Sequence, residues 1–326
     1  MEESHRATAP TVAMASLIID TTYRCNARCR YCRWGDGRTS QRQDVPPAGL
    51  CLPPELLRAA GVTRVVLSGG EPLLHPGLPD VLAHYAAADV RERVVITNGL
   101  NATGDRLESC RLAGATGFAF SIDAIDGPTA LATRAMSNVQ IDRVLAHLAG
   151  AGRAAAATGM EVTVNCVLSA ANCSVEIVRR LALRATACGA SAIKFQPVFD
   201  DGYLGNNAPG LRLSRQHATV VRAIAADAPS WGLATNPGSF FADLAAVCEG
   251  RALDGASCGL SERTLVLQAG GIVVCPWIGA RPARTTDELP TVLRDFRAAT
   301  TTCGTGAHCF CLQPRDHAWG FRHADG

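Results

Sequence analysis

Three cysteines close together, Cys25, Cys29 and Cys32, give the spacing C-x3-C-x2-C and are the first residues whose type suggests chemistry. Thiolates are the usual ligands of iron–sulfur clusters; four close such a site, and three leave one iron open to a ligand from outside the protein. A zinc site or three buried structural cysteines would use the same residue type, and the C-x2-C pair by itself favours zinc. Four polar groupings follow. Ser68-Gly69-Gly70-Glu71-Pro72, Thr97-Asn98-Gly99 and Ser121-Ile122-Asp123 each close a short apolar run, and Thr163, Asn165 and Val167 share one face of another. Any single polar residue of this kind is as often a satisfied structural hydrogen bond as a ligand contact. Their joint placement is what points to a site.

Two further features carry chemistry. Cys258, Cys275, Cys303, Cys309 and Cys311 crowd the C-terminal part of the chain. Lys194 is the one lysine among 31 basic residues, and in Ile193-Lys194-Phe195-Gln196 alternation puts it on the face opposite two apolar side chains. With Ile193 and Phe195 turned toward helices, Lys194 faces the interior, where a cation suits a carboxylate or a phosphate. A lysine that merely reaches solvent is the plainer alternative.

The elements that must position these residues read as repeated β/α units. Strands are predicted at Leu17–Thr22, Arg64–Ser68, Arg93–Thr97, Gly117–Ile122, Glu161–Leu168 and Ala192–Val198, with helical stretches that include Leu78–Ala88, Asp142–Ala157 and Val175–Cys188. Six units rather than eight imply an α/β fold, a partial (β/α)6 TIM barrel, with active groups at the C-terminal strand ends. Residues 1–15 read as a tail, 16–230 as the barrel and 231–326 as a cysteine-rich extension. After a helical stretch at Ser214–Ala226, that extension is expected to hold a helix at Ser239–Cys248, a hairpin of Thr264–Gln268 and Ile272–Cys275, and a helix around Leu289–Ala299.

The three-cysteine loop with Tyr31 before its last cysteine, followed in order by the Gly-Gly-Glu run and the strand-end polar groups, resembles the radical S-adenosylmethionine (radical SAM) superfamily over about residues 16 to 226. The resemblance implies a 4Fe–4S cluster on Cys25, Cys29 and Cys32, whose open iron takes the amino and carboxylate groups of S-adenosylmethionine. It implies that Tyr31, Gly69, Gly70, Glu71, Asn98, Ser121, Asp123 and Asn165 surround that cofactor. Glu71 would take the methionine ammonium, Asn165 would reach the ribose, and the glycines would let the backbone come close. Reductive cleavage would then give a 5′-deoxyadenosyl radical that abstracts hydrogen from a substrate. Lys194, the catalytic candidate from alternation, would hold an anionic group either of that substrate or of the methionine moiety. An electron donor such as flavodoxin or ferredoxin is the implied partner.

Around the predicted hairpin the spacing C-x11-G-x4-C, from Cys258 through Gly270 to Cys275, resembles the SPASM/Twitch extensions of the same superfamily. Five cysteines suit the Twitch form, with one auxiliary 4Fe–4S cluster on four of them. Cys303-x5-Cys309-x-Cys311 departs from the usual terminal spacing, so which of the three is unused stays open, with Cys248 an outsider and His308 a remote ligand. A zinc ribbon is the alternative, although ribbons usually show paired C-x2-C knuckles. Cys51, Cys110, Cys166, Cys173 and Cys188 read as small apolar residues.

Composition narrows the rest. With 326 residues, 48% hydrophobic, the chain can bury a large core, and a formal charge of +2 offers no basic field for nucleic acid or a membrane surface. Neither an export signal nor a long apolar run is visible, which points to the cytoplasm. Three functions fit. One is tailoring of a small metabolite such as a sugar or nucleoside in natural-product biosynthesis by decarboxylation, dehydrogenation or epimerisation; a sugar-acid decarboxylase of a nucleoside-antibiotic pathway is one candidate. Another is maturation of a ribosomally made peptide. The last is a non-catalytic metal-binding or redox-sensing protein, against which Glu71 and the strand-end polar set argue.

Overall fold

The computed structural model describes residues 16–32, 44–198, 209–251, 264–268, 271–273, 283, 287–288, 291–292 and 294. The strands are β1 (Ser16–Thr22), β2 (Arg64–Gly69), β3 (Glu92–Thr97), β4 (Gly117–Ser121), β5 (Glu161–Leu168), β6 (Ala192–Pro197), β7 (Thr264–Gln268) and β8 (Gly271–Val273). They form one sheet in the order β6-β5-β4-β3-β2-β1-β7-β8. The first six are parallel to their neighbours, as the β/α reading expects of a partial TIM barrel.

Alternation divides the side chains of these strands into two populations. Leu17, Ile19, Val65, Leu67, Val95, Phe118, Phe120, Val164, Ile193 and Phe195 belong to one continuous apolar core, together with Val81 and Tyr85 of the helix Leu78–Ala87 and Leu148 of the helix Asn138–Thr158. The alternate positions Val66, Val94 and Ala119 are buried but stand outside that core. They face the lumen. The long helix Asn138–Thr158 begins with a reciprocal capping box between Ser137 and Gln140 and stops at Gly159, whose φ of 73° suits glycine.

Described residues beyond 231 also join this sheet. Ala234 bridges Ala192, Asn236 bonds both backbone groups of Phe195, and Phe241 of the helix Gly238–Cys248 packs 5.8 Å from the Phe195 ring. The expected hairpin forms on this sheet: β7 pairs in parallel with β1, and β8 folds back antiparallel on β7. That pairing joins residues more than 240 positions apart, which local pattern does not reveal. Residues 1–15, most of the helix expected around Leu289–Ala299, and Cys258, Gly270, Cys275, Cys303, His308, Cys309 and Cys311 lie outside the described residues. Among the described residues no helix is long and apolar enough to cross a membrane.

Candidate metal and cofactor site

The loop carrying Cys25, Cys29 and Cys32 leaves the C-terminal end of β1 and is fastened on three sides. Arg24 forms an ion pair with Asp44 at 2.6 Å, and Asp44 also accepts from the Thr22 hydroxyl at 2.6 Å. The Arg30 amide donates to Thr133 O at 2.8 Å, and its Nε to Leu131 O at 3.0 Å, using carbonyls at the C-terminal end of the helix Gly127–Arg134. Across the loop, the Tyr31 hydroxyl donates to Asp123 Oδ2 at 2.6 Å.

The end of β2 closes the fourth side. Gly70 N donates to Thr22 O at 2.7 Å and Glu71 N to Arg24 O at 2.8 Å. A Cβ at Gly69 would lie 2.5 Å from Thr22 O, and one at Gly70 2.1 Å from Arg24 O. The close backbone approach at these glycines is thus to the cysteine loop itself. Glu71 is fully buried and accepts from Leu73 N at 3.1 Å, the Thr97 hydroxyl at 2.8 Å and Asn98 N at 2.7 Å. Burial still outweighs these donors and pushes its carboxyl up to about 7. Asn98 in turn donates through Nδ2 to Asn26 Oδ1 at 2.8 Å and toward Cys25 Sγ at 3.8 Å.

None of the three cysteines enters a disulfide. Cys25 Sγ also accepts from Ala27 N at 3.4 Å, and Arg134 Nη1 donates to Cys29 Sγ at 3.6 Å. Arg134 is a functional candidate that sequence reasoning missed. It is almost fully buried, pairs through Nε with Asp123 Oδ2 at 3.1 Å, and lies 5.9 Å over the Tyr31 ring. Its signal was masked by composition, since one lysine stands out and one arginine among thirty does not. Asp44 and Arg24 are likewise recognisable only from the fold.

N–H groups aimed at two of these sulfurs suit thiolates that carry a metal group. Burial pushes the Cys25 thiol up to about 11. Among the described residues no three His, Cys, Asp or Glu side chains converge tightly enough for a single metal ion. A cluster, with each thiol on its own iron, asks for a wider spread than zinc does.

The lumen holds a small pocket lined by Arg64, Val66, Val94, Ile96, Ala119, Thr163, Asn165 and Lys194. Register places Ser121, Asn165 and Lys194 side by side on β4, β5 and β6. Asn165 and Lys194 stand within their strands, whereas Ser121 ends β4. Lys194 faces the lumen while Ile193 and Phe195 on either side are fully buried in the outer core. Among the described residues the side chains of Ser121, Asn165 and Lys194 make no hydrogen bond, unlike those of Tyr31, Glu71, Asn98 and Asp123, all of which hold other parts of the protein. Burial lowers the Lys194 pKa, opposed by the charge of nearby Glu161.

Residues 19–168 match the Radical SAM superfamily model. The chain is 35% identical to a GTP 3',8-cyclase of Mycolicibacterium smegmatis over 179 residues, 51% of this chain and 46% of that protein. It is 28% identical to a PqqA peptide cyclase of Streptomyces rochei over 221 residues, 65% of this chain and 56% of that protein. The chain thus spans about half the length of these relatives. In fold it resembles Streptococcus suis SuiB bound to its precursor peptide SuiA, with a TM-score of 0.69 at 12% identity over 93% of this chain and 71% of that one. It also resembles anSMEcpe with bound AdoMet, with a TM-score of 0.62 at 14% identity over 91% and 88%.

Proposed function

We infer, from the match of residues 19–168 to the Radical SAM superfamily model, that Cys25, Cys29 and Cys32 hold a 4Fe–4S cluster and that the protein is an enzyme acting on a substrate in the barrel lumen. The observation that carries this reading is the contrast between two sets of polar groups. Those around the cysteine loop are bonded to one another, while Ser121, Asn165 and Lys194, which sit together in register, have no side-chain hydrogen bond among the described residues. Polar side chains without a hydrogen bond, two of which, Asn165 and Lys194, line the pocket, are what a ligand site offers.

When bound, the cluster supplies the electron that splits S-adenosylmethionine and so starts hydrogen abstraction from a substrate C–H. The chain's own residues place and enclose the reactants. Tyr31, Asp123, Glu71, Asn98 and the glycines Gly69 and Gly70 hold the loop at the mouth of the barrel, and their backbone and remaining polar atoms border S-adenosylmethionine. Ser121 and Asn165 offer hydroxyl and amide groups to it, and Lys194 offers a cation to an anionic group of the substrate. Val66, Val94, Ile96 and Ala119 keep that part of the lumen apolar and limit water.

For the substrate we favour a small metabolite of the sugar or nucleoside kind, in keeping with Lys194 and with the nucleotide in the name of the cyclase relative. The PqqA peptide cyclase relative, which aligns with 65% of this chain, favours a second reading as a peptide maturase. The cysteine-rich C-terminal part fits a Twitch-type extension with an auxiliary cluster. A flavodoxin or ferredoxin is the fitting electron donor, and a cytoplasmic location suits cysteines kept as thiolate ligands. The reconstituted protein, incubated without oxygen with dithionite and S-adenosylmethionine, should form 5′-deoxyadenosine. Its stimulation by candidate sugars and nucleosides, or by candidate peptides, distinguishes the two readings. No cleavage under any condition would contradict both.

A further inference from the structure

Arg134 closes a buried chain of contacts that runs Tyr31–Asp123–Arg134–Cys29. The Tyr31 hydroxyl donates to Asp123 Oδ2 at 2.6 Å, Asp123 Oδ1 accepts from Val167 N at 2.9 Å, and Arg134 Nε stands 3.1 Å from Asp123 Oδ2. The carboxylate thereby fixes the guanidinium, which turns Nη1 onto Cys29 Sγ at 3.6 Å. Every member is at most 8% exposed, so the contact lies in a medium where charge is weakly screened.

The backbone holds this arginine with some strain. Its helix, Gly127–Arg134, starts with Asp126 accepting from Thr129 N, and it ends at Ala135 with φ of 53°, a left-handed conformation unusual for a residue other than glycine. The same turn presents Thr133 O to the Arg30 amide, so Arg134 and the cysteine loop are fixed to each other by backbone as well as side chain.

We propose that Arg134 is a positioning residue for the iron–sulfur group, and that its N–H on the Cys29 sulfur makes that group easier to reduce. This rests on the reading that Cys25, Cys29 and Cys32 hold a cluster. A donor on a ligating sulfur withdraws negative charge from it, and the reduced form, one electron richer, gains more from this than the oxidised form. Asp123 offsets the positive charge overall, but it stands behind the guanidinium, which presents its N–H to the sulfur. Arg134 therefore acts at Cys29 as a directed donor.

The test is an EPR-monitored redox titration of the anaerobically reconstituted full chain, following the signal that changes when S-adenosylmethionine is added. Arg134→Met removes the donor and should shift the midpoint potential to more negative values. Arg134→Lys should recover part of the shift. Because Arg134→Met leaves Asp123 buried without its cation, the doubly neutral variant Asp123→Asn/Arg134→Gln serves as the folded control, and it should also titrate below the native protein. Unchanged or more positive potentials in variants that keep the native circular dichroism would overturn the proposal. So would loss of the responsive cluster from all of them, which would make Arg134 an assembly residue. A native protein with no signal that responds to S-adenosylmethionine would instead contradict the cluster reading itself.

Discussion

Gly70 faces the carbonyl oxygen of Arg24 so closely that a Cβ on Gly70 would stand 2.1 Å from it, and the next residue, Glu71, donates its amide to that same oxygen at 2.8 Å. The end of β2 and the cysteine loop are therefore one unit. Gly70→Ala meets fixed backbone rather than a side chain that can swing away. We expect it to cost about 1–3 kcal/mol as overpacking and to lower bound iron by displacing the loop. Denaturant midpoints and iron content of the reconstituted variant check this; native values for both would show that the loop yields.

Lys194 gives a second expectation. A charge-assisted contact to a substrate anion is worth about 1.5–3 kcal/mol, so its loss should weaken substrate-stimulated turnover roughly 10- to 100-fold. Lys194→Met keeps most of the stem and removes the charge. The variant should still form 5′-deoxyadenosine slowly without substrate and lose the stimulation that substrate brings. If both activities fall together, the lysine serves S-adenosylmethionine; native kinetics would make it a bystander.

Much of this architecture was legible in the chain, and the reasons are physical. Parallel strands covered by helices must be apolar, so the six strands announced themselves as short runs, and alternation correctly put Lys194 opposite Phe195. The helix Gly104–Leu112 buries only Leu107 and Cys110 and so shows almost no stripe. The pairing of Thr264–Gln268 with β1 is a contact across most of the chain, and no local signal encodes it. At the site, residue type and spacing exposed the thiols and the strand-end polar groups. They did not reveal that Glu71 is held by Leu73, Thr97 and Asn98, or that Arg134 reaches Cys29, because partners belong to the fold.

Glu161 makes stability depend on pH. Burial pushes its carboxyl up to about 7, with Arg64 opposing. Between its ordinary value near 4.5 and about 7, the folded protein holds a proton that the unfolded chain has released. Glu161 therefore favours the folded state at the low end of that window and loses this advantage as pH rises through it. Glu161→Gln retains an acceptor for the Ser191 hydroxyl, 3.3 Å from Oε1 in the native chain, and cannot ionise. Denaturation midpoints from pH 4.5 to 7 should fall less steeply in the variant than in the native protein. Identical slopes would place the ionised carboxylate in water.

The C-terminal cysteines give an expectation from sequence. Cys258, Cys275, Cys303, Cys309 and Cys311 should retain iron and acid-labile sulfide when the first three cysteines are replaced. Metal analysis of that variant decides the matter. Zinc without sulfide would mean a ribbon.

The replacement of Cys25, Cys29 and Cys32 together by alanine tests the whole account most directly. Native and variant proteins are reconstituted side by side without oxygen, reduced with dithionite and given S-adenosylmethionine, and 5′-deoxyadenosine is quantified with the bound iron. The variant should lose about one cluster's worth of iron and form no 5′-deoxyadenosine above the protein-free background. Cleavage of S-adenosylmethionine at the native rate in the folded variant would contradict the assignment of these three thiolates.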